Sequence, residues 1–226
     1  MIQIEQLFKA YGPHEILKGI DLQFERGKVY GIVGENGAGK TTLFKCIAGL
    51  ERCEGHLACD RMPLKDHLGF LQTDPYFFAK MTGREYARLL CNARSVDPGN
   101  LDARNIFELP LDEYALHYST GMKKKLALWA VLLQGNDYFI LDEPFNGVDI
   151  HSNILITGII HQLKALDKIV IISSHIFATL HDTCDEIHLL QAGRFAPKVL
   201  RADFDRLERD MKDFTIGNRI ETLGMR

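Results

Sequence analysis

The apolar run KVYGIV, residues 28–33, passes directly into GENGAGKTT, Gly34–Thr42, and helix-like sequence follows to Leu50. An apolar run, a glycine-rich turn and a helix in that order make a strand–loop–helix unit. The turn satisfies G-x-x-x-x-G-K-[ST] in the context that gives the pattern meaning. Its glycines let successive backbone N–H groups curl around a phosphate, and the helix dipole adds positive potential there. The cradle is Gly34, Glu35, Asn36, Gly37, Ala38, Gly39, Lys40, Thr41 and Thr42. Lys40 can reach the β- and γ-phosphates and Thr41 can ligate Mg²⁺. The plainer alternative is an ordinary glycine-rich turn.

Two later runs, DYFILDEP and KIVIISSH, are short and continuously apolar, as buried parallel strands are. The first ends in Asp142, which places a carboxylate at the carboxyl edge of the sheet, where ligands bind in α/β folds. Asp142 can hold Mg²⁺ through water, and Glu143 can orient or deprotonate an attacking water. An acidic pair can also simply end a strand. His175 closes the second run at the same edge, within reach of a γ-phosphate; taken alone, such a histidine is a surface or satisfied core residue. Gln72 ends another strand candidate, HLGFLQ, where an amide can contact Mg²⁺ and the attacking water. Tyr11 can stack on a purine ring, or it is a half-buried aromatic in a turn.

Around this centre the chain changes character twice. MIQIEQL and ILKGIDLQF, on either side of a Gly12–Pro13 turn, read as antiparallel strands. From Thr73 to Gly135 strand-like runs vanish. Thr82 and Glu85 fit a capping box. Met122, Leu126, Trp129 and Leu133 repeat at helical spacing. A further helix carries Ile156, Ile160 and Leu163 on one face, and EIHLLQAGRF reads as a late strand ending in a turn. The expected organisation is one domain over residues 1–226: a core with its β-subdomain from 1–72 and 136–200, a helical insert at 73–135, and a tail at 201–226 read as a helix with a loose end.

Charge and composition exclude other classes. Net charge is −3, which offers no general attraction for nucleic acid or anionic lipid. The three lysines Lys123–Lys125 read as a solvated helix face. The longest apolar run, Leu126–Leu133, is too short to span a bilayer, and no secretory signal is expected. The five cysteines, Cys46, Cys53, Cys59, Cys91 and Cys184, include no CxxC pair, so reduced and mostly buried thiols are expected rather than a zinc site.

Taken together, Tyr11, Gly34–Thr42, Gln72, Tyr118–Met122, Tyr138–Glu143, Asn146–Asp149 and His175 resemble, in order, the motifs of an ABC transporter ATP-binding subunit. The resemblance covers roughly residues 1–200. It implies an α/β fold: a P-loop NTPase core with a mostly parallel sheet, an N-terminal antiparallel β-subdomain and an inserted α-helical subdomain. It implies ATP and Mg²⁺ as ligands, with Thr41, Gln72 and Asp142 toward the metal and Glu143, Gln72 and His175 in catalysis. The family's LSGGQ signature reads YSTGM here, retaining Ser119 and Gly121. In the family it caps the γ-phosphate held by a second subunit, which implies a homodimer or a heterodimer with a related ATPase. This form of the signature looks like that of bacterial exporters of the multidrug, antibiotic and sodium extrusion type. The segment TDPYFFAKMTG falls where the family docks a separate integral membrane permease, so Tyr76, Phe77 and Phe78 line a partner groove or else pack inside the helical insert. The implied location is cytoplasmic, peripheral on the inner face of the cell membrane, with no nucleic acid partner. The competing readings are a soluble ATPase of the same family acting on nucleic acid or ribosomes, and a small-molecule kinase.

Overall fold

The structure, a computed structural model, describes residues 1–216. Its centre is a seven-stranded sheet. The parallel strands are β3 (Lys28–Val33), β5 (Leu68–Leu71), β6 (Tyr138–Asp142), β7 (Ile169–Ser173) and β8 (Glu186–Gln191). The short strands β9 (Arg194–Phe195) and β10 (Val199–Leu200) pair antiparallel with β8, and the main path runs β10-β8-β3-β7-β6-β5. A separate antiparallel sheet orders β2 (His14–Phe24), β1 (Ile2–Tyr11) and β4 (Glu54–Cys59). The expected mixed architecture, a parallel core with an antiparallel companion, is therefore present.

Strand alternation divides the apolar residues between two cores. On one face Tyr30, Ile32, Tyr138, Ile140 and Ile171 pack with Ile4, Leu7 and Leu17 of the antiparallel sheet and with Leu43 and Phe44 of helix α1 (Lys40–Ile47). On the other, Val29, Phe139, Leu141, Val170 and Ile172 pack against helices α2 (Gly83–Asn92), α3 (Thr120–Leu133), α4 (Ile150–Ala165) and α5 (Phe177–Thr183). Both faces of the central strands are covered, which is why their sequences are continuously apolar. Helix α6 (Phe204–Ile216) follows the sheet and inserts Phe204 into the second core. The rest of the expected tail lies outside the described residues.

The capping box forms as expected: the Thr82 hydroxyl accepts from the Glu85 N–H, and Glu85 accepts from the Thr82 N–H at 2.8 Å. One expectation needs correction. Lys123–Lys125 is not a solvated face, because Lys124 is buried with only 4% exposure and donates to backbone carbonyls, one of them Thr73 at 2.6 Å. Charge near a helix start normally faces water, but here Lys124, in the second turn of α3, reaches the carbonyls at the ends of β5 and β6. The helical spacing of Met122, Leu126, Trp129 and Leu133 falls in α3 as expected, and Ala127, Leu128, Ala130 and Val131 of the same helix are buried as well. The aromatic segment divides. Phe77 packs inward on Tyr86 with ring centroids 4.6 Å apart, whereas Tyr76 and Phe78 are exposed and stacked edge to face. Among the described residues no helix is long and apolar enough to cross a membrane. All five cysteines are free; Cys46, Cys91 and Cys184 are buried.

Candidate functional site

Parallel pairing brings the carboxyl ends of β3, β5, β6 and β7 to one edge, with Asp142 directly beside Ser173. A cavity of about 320 Å³ opens there, lined by Ile16, Asn36, Gly37, Gly39, Lys40, Thr41, Thr42, Thr73, Asp142, Glu143 and His175. Residues from opposite ends of the sequence meet in it because the strand order places β3 two positions from β6.

The loop enters α1 through Gly39, whose φ of 107° lies in the left-handed region that a side chain would resist. The first residues of α1, Lys40–Thr42, line the cavity, and a helix N-terminus at such a position favours an anion. Lys40 is 8% exposed and donates from Nζ to the carbonyls of Gly34 at 2.7 Å and Glu35 at 3.1 Å. Burial lowers its pKa, while Glu143 and Asp142 act against that shift.

Asp142 is 1% exposed and held by three hydroxyls. Thr41 and Thr73 donate to Oδ2 at 2.8 and 2.7 Å, and Ser173 donates to Oδ1 at 2.6 Å. Next to it, Glu143 adopts a φ of 54°, a conformation that costs about 1 kcal/mol or more for a residue with a side chain. Its N–H donates to Ser173 Oγ at 3.0 Å, which locks that turn. Its carboxylate receives the His175 N–H at 3.3 Å, and His175 Nε2 lies 3.0 Å from Oε1. Desolvation raises the Glu143 pKa, and the charge of His175 opposes the rise. A buried, partly desolvated carboxylate facing a phosphate cradle has the placement of a general base.

The donor set also fits Mg²⁺. Thr41 Oγ1 and Asp142 Oδ2 are hard oxygen atoms already in contact. Mg²⁺ takes only one or two such ligands and completes its shell with water and substrate phosphates. Among the described residues no group of three or more His, Cys, Asp or Glu side chains could form a dedicated metal cage.

Not every expected residue lines the cavity. Gln72 is exposed, and its neighbour Thr73 takes the place on Asp142. Tyr11 is exposed at the end of β1 with Lys9 Nζ 4.6 Å from its ring centroid, and Ile16 is the apolar residue in the lining. Thr73 and Ser173 escaped the sequence reading, since Ser and Thr near strand ends carry no pattern of their own.

Ser119 and Gly121 lie away from this cavity, at the N-terminus of α3. Ser119 caps the helix, its Oγ accepting from the Met122 N–H at 3.2 Å, and remains exposed. Tyr118 anchors that cap from below: it is buried and its hydroxyl donates to the Pro110 carbonyl at 2.6 Å. Gly121 has a reason within its own chain, because a Cβ there would lie 2.6 Å from the carbonyl oxygen of Gly147. The same loop sends Asp149 to cap α4 through the Ser152 N–H at 2.8 Å and to pair with Lys125 at 3.2 Å.

The ABC transporter family model matches residues 17–146. An ABC transporter ATP-binding protein of Nostoc sp. (strain PCC 7120) is 32% identical over 195 residues, and the match covers 78% of this chain but only 57% of that longer protein. The lantibiotic transport ATP-binding protein SrtF of Streptococcus pyogenes is 28% identical over 225 residues, covering 92% of this chain and 93% of its own. A solved structure of an ATP-binding subunit of an ABC transporter superposes with a TM-score of 0.79 at 25% identity, covering 93% of this chain and 94% of that one.

Proposed function

This chain belongs to the ABC transporter family as an ATP-binding ATPase, and we propose that it drives export through a separate membrane permease by closing on ATP with a second ATPase subunit. The observation that carries the reading is the meeting of Lys40, Thr41, Asp142, Glu143 and His175 on one cavity while the N-terminus of α3, with Ser119 exposed, lies outside it. One copy alone supplies a phosphate cradle and a base. The second helix N-terminus needs a nucleotide held by another subunit, either an identical copy or a related one.

In this reading Lys40 and the Gly34–Thr42 N–H groups bind the phosphates. Thr41 and Asp142 hold Mg²⁺, with Gln72 as its further contact; the ion supplies charge neutralisation at the transferred phosphoryl group. Glu143 accepts the proton of the attacking water, and His175 orients that carboxylate and donates toward the γ-phosphate. Tyr11 stacks on the base. The 73–135 segment is the helical lobe that carries the signature. Exposed Tyr76 and Phe78 form the contact for the permease, which holds the subunit on the cytoplasmic face of the membrane. Export, rather than import, rests on the form of the YSTGM signature, and relatives carry names that state bacitracin and lantibiotic transport.

The test is made on purified protein. Lys40→Ala abolishes ATP binding or turnover. Glu143→Gln lowers kcat by about 100-fold or more, the scale of a lost general base, and yields an ATP-dependent dimer in light scattering. A Glu143→Gln protein that stays monomeric with ATP and hydrolyses it at the wild-type rate would falsify the mechanism.

A further inference from the structure

The second turn of α3 hides a feature that the phosphate-binding motifs do not use. Lys124 is 4% exposed. Its ammonium donates to the Thr73 carbonyl at 2.6 Å, with longer contacts to the carbonyls of Gln72 at 3.4 Å and Asp142 at 3.5 Å. A buried charge is expensive, and along the rest of the helix Leu126, Ala127, Leu128 and Trp129 show that apolar side chains fill this environment readily. The three carbonyls lie at the ends of two adjacent strands, β5 and β6. Thr73, gripped through its carbonyl, sends its own hydroxyl to Asp142 Oδ2, the oxygen that Thr41 also contacts.

We propose that Lys124 is a positioning residue: it couples the outward-facing N-terminus of α3 to the Thr73–Asp142 pair, and so sets the Asp142 carboxylate for Mg²⁺. The inference rests on the ATPase reading above. Two helical turns or less separate Ser119 and Gly121, where a second subunit's nucleotide would dock, from the ammonium. Docking there shifts the carbonyl grip, and Thr73 passes the shift to the metal oxygen.

A charge role and a positioning role predict opposite signs. A cation next to the metal site repels Mg²⁺, so loss of the charge alone would tighten metal-dependent binding. Loss of positioning weakens it. The test measures Kd of a fluorescent ATP analogue for Glu143→Gln protein, in EDTA and in saturating Mg²⁺, with and without Lys124→Met. Expected is a Kd about ten-fold weaker with Mg²⁺ and unchanged in EDTA, the scale of a lost outer-shell partner. Thr73→Val, which changes no charge, gives the same selective loss, and the double variant is no worse than either single one. The Kd in EDTA also reports that each variant is folded; if Lys124→Met is not, Lys124→Gln takes its place, with the same selective loss in Mg²⁺ expected. An unchanged or tighter Kd with Mg²⁺, or losses that multiply in the double variant, overturn the proposal. Failure of the Glu143→Gln parent itself to bind the analogue would instead overturn the ATPase reading.

Discussion

Glu143 carries a titration that can be read in kinetics. Burial raises its pKa and His175 opposes that rise. A general base works only when deprotonated, so turnover is full above the raised pKa and falls as pH drops through it. The acid limb of the kcat–pH profile is expected above 4.5, the usual glutamate value, and His175→Ala moves that limb further up because the opposing charge is gone. A limb at or below the usual value, or one that His175→Ala leaves in place, counts against Glu143 as the base. Lys40, Asp142 and His175 were legible in the sequence because a motif or a strand end marks each. Thr73 and Ser173 were not. Their roles come from strand register, which sets hydroxyls beside a carboxylate 69 and 31 residues away in the chain.

Elements were legible where local chemistry decides them and obscure where neighbours do. The start of α2 is written in Thr82 and Glu85, and Thr82→Ala is expected to cost about 1 kcal/mol, read as a shift in the urea midpoint with unchanged slope; no shift would mean that lobe packing alone holds the helix start. In contrast, β4 left no clear signal: Glu54, Gly55 and His56 are exposed, and the strand is only an edge of the small sheet. For α3 the helical period was visible, but its buried sides were not, because a helix enclosed by α2, β5 and the sheet no longer shows a polar face. The Lys124 burial belongs to the same class. A lysine looks solvated in sequence unless the carbonyls that receive it are known.

At the scale of the molecule, the helices of the 73–135 segment share one continuous apolar core with the sheet. Trp129, the only tryptophan, sits in that core, 2% exposed, and donates from Nε1 to the Arg104 carbonyl at 2.7 Å. Its fluorescence therefore reports the helical segment, while far-UV circular dichroism reports the whole fold. The two thermal transitions are expected to coincide; a separate, earlier tryptophan transition would show that the segment melts on its own. The contact between Gly121 and Gly147 bears on timing. With a would-be Cβ only 2.6 Å from the facing carbonyl, the helix start and the 143–149 loop have no slack between them, and Lys125 on Asp149 closes the remaining freedom. Dyes placed on exposed Ser119 and exposed Ile150 should accordingly report one rate constant after ATP mixing, since the two surfaces keep a single clock; two distinct rates would show that the loop runs ahead of the helix.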